Sequence, residues 1–432
     1  MKHEHHRWTT ALFLALALSV RALAAADDPL TPAVKSAVLD AVVGRIESTY
    51  VDTEAAPRIV KALRARQEAR AYEAVTNPAQ FSEMVTRDLR SVNGDLHLGL
   101  RFSKEPPRPP GRGIGAFGDP RLLNFGMGRA EILDGNVGYL EITAFTGGDY
   151  KGAVVDALRF LSRTDAMILD VRRNGGGASD MSHFIFSHFF GGTPVPTINV
   201  RTRASLEPSH RMSLAEVPGP RRPDVPLFVL ISQATGSAAE EFSFVLKNRG
   251  RATLVGRRTA GAGHMVGQFP LGHGFTVSVS ITLVSDPVTG AEWEQVGVQP
   301  DIAVAPEQAL VAAHAAALRK VAAGTTDASR AEVLRRLIET NEAGLRATLE
   351  AAERLHRFAG TYEGRVVTVR DGGLRYLRRI GGLSEPLIPL GGDVYALAAA
   401  RLRFAESAGT MTLTVEQPDG TRLTFTRERV EP

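Results

Sequence analysis

The stretch Thr235-Gly236-Ser237-Ala238-Ala239-Glu240-Glu241-Phe242 follows the apolar run Pro226–Ile231 and opens an amphipathic segment. A strand, a turn of small residues and a helix in that order set one hydroxyl, that of Ser237, at the end of a sheet and on the positive end of a helix. A nucleophile needs that exposure, and a developing oxyanion beside it needs the free N–H groups of the first helical turn. A plainer pattern fits the same residues. Ser237-Ala238-Ala239-Glu240 is also a capping box, whose serine only closes a helix.

Outward from this stretch, residues 130–304 alternate strands and helices. Val137–Thr143 reads as a strand, Ala153–Leu161 as an amphipathic helix, and Ala166–Val171 as an apolar strand leading into Arg172-Arg173-Asn174-Gly175-Gly176-Gly177. A helix follows near Met181–Phe190. Phe275, Val277, Val279, Ile281 and Leu283 alternate with Thr and Ser, the period of a half-buried strand. That succession argues for an α/β core. The glycines after Asp170 leave backbone N–H groups open to a carbonyl oxygen. The competing readings are a tight turn or a phosphate cradle, and the chain has no GxxxxGK[ST] to support the latter.

On either side the pattern changes. Residues 32–92 are helical by spacing: Val38, Val42 and Ile46, then Ile59 and Leu63, then Phe81, Val85 and Leu89, with a turn at Asn77-Pro78. Leu96–Phe102 reads as a short strand, and Pro106–Gly111 as an extended connector. Residues 306–356 are rich in Ala, Leu, Glu and Arg, which suggests helices. Asp371-Gly372 and Asp419-Gly420 sit between β-prone runs, so two hairpins are expected in a small all-β domain at 357–432. The resulting organisation is a helical domain at 32–100, a Pro-rich connector at 101–129, a core at 130–305, a helical connector at 306–356 and the β domain.

The first 24 residues read as a leader outside the fold. Lys2 and Arg7 precede the apolar run Ala11–Leu18, and Ala22-Leu23-Ala24 offers small residues for cleavage after Ala24. Arg21 ends the run before it reaches the ~20 residues of a membrane span. The expected location is therefore periplasmic or extracellular, with no membrane anchor. The chain has no cysteine, which excludes a lipoprotein anchor and any disulfide framework. Lys2, Arg7 and Arg21 against Glu4 carry half of the formal charge of +4. The remainder gives no reason to expect nucleic acid as a partner.

Four segments together carry a family resemblance. Asp170–Gly177, Thr235–Phe242, Gly256-Arg257-Arg258-Thr259-Ala260-Gly261 and Glu294-Gln295-Val296-Gly297-Val298-Gln299-Pro300-Asp301 resemble, in order, the tail-specific (C-terminal processing) protease superfamily. Asp95-Leu96-His97-Leu98 resembles the N-terminal domain of the branch that includes tricorn protease and interphotoreceptor retinoid-binding protein. The resemblance implies an α/β fold with a crotonase/ClpP-like layered core. It implies a serine endopeptidase working through an acyl-enzyme at Ser237, with His97 as general base, Glu294 as its orienter, and Ala238 with Gly176 or Gly177 as oxyanion hole. A peptide or unfolded protein is the expected substrate, with no cofactor and no metal. The alternative is a non-catalytic binder of an apolar ligand on the same fold, since retinoid-binding relatives keep this fold without proteolysis.

Three departures from the pattern matter. Gly261-Ala262-Gly263 puts Ala262 where the processing branch keeps its lysine base. Leu96 stands where tricorn has a serine bridging glutamate and histidine, so Glu294 and Asp95 both remain possible orienters of His97. Only about 35 residues separate Phe102 from Asn136, too few for the PDZ domain usual in the processing branch. His264, Arg257 and Arg258 can each pair with a substrate carboxylate, solvated surface arginines being the commoner case.

Overall fold

Two short apolar strands, β4 (Ala166–Asp170) and β7 (Leu227–Ile231), are buried on both faces and lie side by side in parallel register, Asp170 opposite Leu230. Here and below, labels follow chain order in a computed structural model that describes residues 30–104, 119–148, 150–347, 351–378 and 382–428. The leader and the proline run Pro106–Gly111 lie outside the described residues.

Three helices open the described chain: α1 (Pro32–Thr49), α2 (Ala55–Glu68) and α3 (Pro78–Arg90). Asn77-Pro78 is more than a turn, since Asn77 Oδ1 accepts the N–H groups of Ala79 and Gln80 and caps α3. Strand β1 (Gly99–Phe102) follows, then β2 (Met127–Leu133), β3 (Val137–Ile142) and α4 (Lys151–Phe160). After β4 come α5 (Ser179–Ser187), β5 (Pro196–Thr202) and β6 (Ser205–Met212). After β7 come α6 (Ala238–Asn248), β8 (Thr253–Gly256), β9 (Met265–Gly272), β10 (Phe275–Ser285) and β11 (Ile302–Ala303). Helices α7 (Ala309–Ala323), α8 (Ala328–Arg346) and α9 (Ala352–Phe358) precede the β tail.

The main sheet runs β11-β8-β7-β4-β3-β2, parallel except for β2. The two-residue period of β4 sends Met167 and Leu169 to one face, under α4, α5 and α6, and Ala166 and Ile168 to the other, under α7 and α8. The α/β core expected from the alternation is therefore three-layered, with helices on both sheet faces.

A second sheet, β1-β10-β5-β6 with β9 also on β10, joins β1 of the N-terminal region to four strands of the core. Strand β1 pairs antiparallel with β10, Gly99 opposite Ser278, and Val277 and Val279 of β10 pack against Val38, Ile46, Phe81 and Leu89. The helical N-terminal region is thus stitched to the core by backbone hydrogen bonds and a shared apolar cluster. The tail forms a four-stranded and a five-stranded sheet around Phe358, Tyr362, Tyr395 and Phe404. Both hairpins occur as read, Arg370 pairing with Gly373 and Glu416 with Arg422.

Candidate active site

Because β4, β7 and β8 run in parallel, the loops leaving their carboxyl ends meet on one edge, the usual place for a site in such a sheet. Thr235 Oγ1 donates to Val171 O at 2.8 Å, Ser232 Oγ to Arg172 O at 2.6 Å, and Gly236 N to Asn174 O at 3.1 Å. Asp170, at the end of β4, is held by Arg172 and by Tyr139 Oη at 2.7 Å. The glycine loop and the serine turn are thereby fixed to each other.

Ser237 is the N-cap of α6 and has φ 52°, ψ −121°. That region is nearly closed to residues with a Cβ and costs roughly 1–3 kcal/mol. A serine held there on a sharp strand-to-helix turn is pushed out from the sheet, the geometry of a nucleophile elbow. The capping box is present as well, Glu240 Oε2 accepting Ser237 N at 2.9 Å. Gly176 lies against the serine: a Cβ there would stand 2.8 Å from both Gly236 O and Ser237 Cβ, at φ 107°. Only glycine fits.

The candidate oxyanion donors separate. Gly176 N–H is spent on Asn174 Oδ1 at 2.8 Å, whereas Gly177 N–H and Ala238 N–H have no partner among the described residues. Glu240 organises the remaining side of the turn. Its Oε1 accepts Thr259 Oγ1 at 2.5 Å and Gly261 N at 2.7 Å, and its Oε2 accepts Ala262 N at 2.8 Å beside Ser237 N. Ala262 therefore shares one carboxylate oxygen with Ser237.

The loop from Thr259 to His264 continues to a second cluster. Glu294 Oε2 accepts Gly263 N at 2.6 Å and His264 N at 3.1 Å. His264 Nδ1 lies 3.2 Å from Asp95 Oδ2 and 3.8 Å from Glu294 Oε2. Tyr50 Oη donates to Asp95 Oδ2 at 2.9 Å and itself accepts from Asn93 Nδ2 at 2.8 Å. His97 sits in a turn rather than on the strand, because Asp95 Oδ1 accepts its backbone N–H at 2.9 Å and the strand starts only at Gly99. His97 Nδ1 is buried without a hydrogen-bond partner, and among the described residues no hydrogen bond joins His97 to Ser237.

Charge follows this geometry. Burial opposes ionisation of Asp95, yet the hydrogen bonds from His264 and the His97 N–H bring it down to about 2. Burial, reinforced by the charge on Asp95, pushes Glu294 up to about 7 despite His264 and two backbone donors. Burial alone would lower His264, but the Asp95 hydrogen bond and the Glu294 charge leave it raised. Burial lowers His97, which keeps its imidazole neutral and able to accept a proton. The donor atoms of Asp95, His264 and Glu294 lie within 4.8 Å of one another, close enough for a cation. Their mutual hydrogen bonds account for that convergence without one.

The structure thus gathers Gly176, Gly177, Ser237 and Ala238 into one cluster, and His97 and Glu294 with Asp95 into a second, linked by one loop. Asp95 contacts the His97 backbone; Glu294 contacts neither His97 nor Ser237 by a hydrogen bond. His264 faces Asp95 and Glu294 instead of a substrate carboxylate, while Arg257 and Arg258 are exposed. Sequence reading registered Glu240 only as a helix cap and passed over Tyr50. Nothing local distinguishes either, since both act on partners far along the chain.

A strained serine at the carboxyl ends of a parallel sheet, backed by a glycine loop, defines an α/β protein with a serine-centred site. Residues 136–304 match the model of peptidase family S41. It is 32% identical over 179 residues to a carboxyl-terminal-processing protease of Synechocystis, covering 41% of this chain and 39% of that protein. A photosystem II D1 C-terminal processing protease structure shares 25% identity over 40% of this chain and 43% of its own, with a TM-score of 0.34. The tricorn protease structure gives 16% identity, 67% and 37% coverage, and a TM-score of 0.42. The chain spans about two fifths of the length of the curated relatives it matches. Asp95 and His97 lie outside the family match.

Proposed function

We propose that this chain is a serine endopeptidase that cleaves peptides or unfolded polypeptide segments in the periplasm or outside the cell. Ser237 Oγ attacks the scissile carbonyl carbon while His97 takes its proton, forming the Oγ–C bond of a tetrahedral intermediate. The oxyanion is held by the N–H groups of Gly177 and Ala238, at the positive end of α6. Collapse breaks the C–N bond, and His97 returns the proton to the leaving amine. Water then repeats the sequence and releases the acyl group.

The observation that carries this reading is the placement of Ser237. It occupies a strained turn beside two N–H groups that have no partner among the described residues, inside the segment that matches the model of peptidase family S41. Asp95 is the better supported orienter of the His97 turn, since it holds that turn's backbone and Glu294 does not. Among the described residues no helix is long and apolar enough to cross a membrane.

The test compares the protein with Ser237→Ala, using a fluorophosphonate probe and a quenched unfolded polypeptide. Labelling and turnover should both vanish in the variant. Equal labelling and equal turnover in the two proteins would remove Ser237 from the chemistry.

A further inference from the structure

The buried cluster joined to the serine turn by the Thr259–His264 loop contains one group the proposed chemistry does not use. His264 stands between two carboxylates that reach it from different parts of the fold: Asp95 from the segment joining α3 to β1, and Glu294 from the loop between β10 and β11. Asp95 is fully buried and the His264 and Glu294 side chains are about nine-tenths buried, so none is well solvated. Two carboxylates in such a place cannot both stay ionised without a cation between them.

We propose that His264 is a positioning residue, an imidazolium clasp between Asp95 and Glu294 that fixes the His97 turn against the serine-bearing core. The proposal rests on the hydrolase reading above and adds to it the group that sets where His97 stands. The path is continuous. Glu294 Oε2 accepts the His264 N–H at 3.1 Å, the His264 ring meets Asp95 Oδ2 at 3.2 Å, and Asp95 Oδ1 accepts the His97 N–H at 2.9 Å. The Leu96 side chain has no polar atom to relay a proton or a hydrogen bond from Glu294 to His97. The link runs through His264 and Asp95 instead.

The charged and titratable groups around the clasp are few. Tyr50 donates to Asp95 from the end of α1, His97 and Arg90 face it from the α3–β1 segment, and Glu292 lies beside Glu294. Arg90 is engaged with the carbonyls of Leu96 and Leu98, so it braces the His97 turn without neutralising Asp95. No other cation in this group sits between the two carboxylates. Removing the imidazole leaves Asp95 and Glu294 to share a proton, and the pair then ionises only at higher pH.

The experiment uses the full chain with His264→Gln and with the double variant His264→Gln/Glu294→Gln. The acid limb of kcat/KM should move up by at least one pH unit in His264→Gln, with a tenfold or greater loss at pH 6.5. The double variant, which no longer holds two facing carboxylates, should bring the limb back toward that of the unmodified protein. Superimposable profiles for all three would overturn the clasp while leaving Ser237 labelling intact, which separates this failure from failure of the hydrolase reading.

Imidazole nitrogen NMR of the unmodified protein decides the matter independently of turnover and of the variants' folding. One histidine should keep the imidazolium signature above pH 7. A spectrum in which every imidazole is neutral at pH 7 would overturn the proposal.

Discussion

The turn that carries Ser237 and the turn that carries His97 are built on opposite plans. Around Ser237 the backbone is strained and the polar groups are nearly all engaged: Glu240 alone receives four hydrogen bonds, and Gly176 closes against the serine Cβ. Around His97 one carboxylate holds the backbone, while the ring leaves Nδ1 buried and unpartnered. A nucleophile can be fixed in advance because attack changes its position little. A base that takes and returns a proton needs a neutral, unengaged ring, and its position is set indirectly through Asp95. The contrast predicts that the two turns fail differently.

His97→Ala should give the largest effect, a fall in kcat/KM of about 10²–10⁴ with the melting temperature changed by no more than about 2 °C. Among the described residues the ring's buried Nδ1 has no hydrogen-bond partner whose loss would unfold the turn. A thermal shift much larger than that would break the comparison, because the ring would then be structural.

Glu240→Ala should do the reverse and attack the fold first. It leaves three buried N–H groups and the Thr259 hydroxyl without their acceptor, at a cost of about 3–5 kcal/mol in urea unfolding. Fluorophosphonate labelling should fall with it, since the Ser237 turn loses its support. Normal stability in this variant would mean the serine turn is held elsewhere.

Tyr50→Phe removes one donor to Asp95 and leaves Asn93 Nδ2 without its acceptor. A loss of about 1 kcal/mol is expected. Activity should drop further than the stability loss explains, because Asp95 also holds the His97 turn. Unfolding and kinetics on the same preparations test both halves.

The smallest effect is a slope of stability with pH. Glu294 is raised above its unfolded value to about 7, so its contribution is complete below the unfolded value and is lost as pH climbs to and through about 7. His264 is also raised, and its contribution is complete below the unfolded value and lost as pH rises through the folded one. Both act in the same direction. Asp95, held near 2, loses its contribution only when pH falls through that region and is silent here. Stability should therefore decline by on the order of 1 kcal/mol from pH 6 to 8.5, after allowing for partial exposure of Glu294. Glu294→Gln should flatten the slope, and urea unfolding at the two pH values checks it.

How far the sequence reached depends on the range of the interaction. The strand, turn and helix around Ser237, the glycine loop and both tail hairpins are local patterns, each legible within about ten residues. Gly176 illustrates where local reading stops. Its spacing suits an oxyanion donor as well as that of Gly177, yet its N–H belongs to Asn174. His264 reads as a partner for a carboxylate, and in the fold the carboxylates it meets are Asp95 and Glu294.

By itself, the chain's residue pattern determined the α/β alternation and the serine turn, because periodicity and turn chemistry act between neighbours; the candidate base came from the family resemblance alone. Only the folded molecule decided which carboxylate meets which histidine. Pairing of β1 with β10 carries Asp95 across roughly 170 residues to His264, and no spacing in the sequence announces a contact made through a sheet. The physical reason is that burial and hydrogen bonding set the charge on Asp95, His264 and Glu294, and both exist only after the strands have paired.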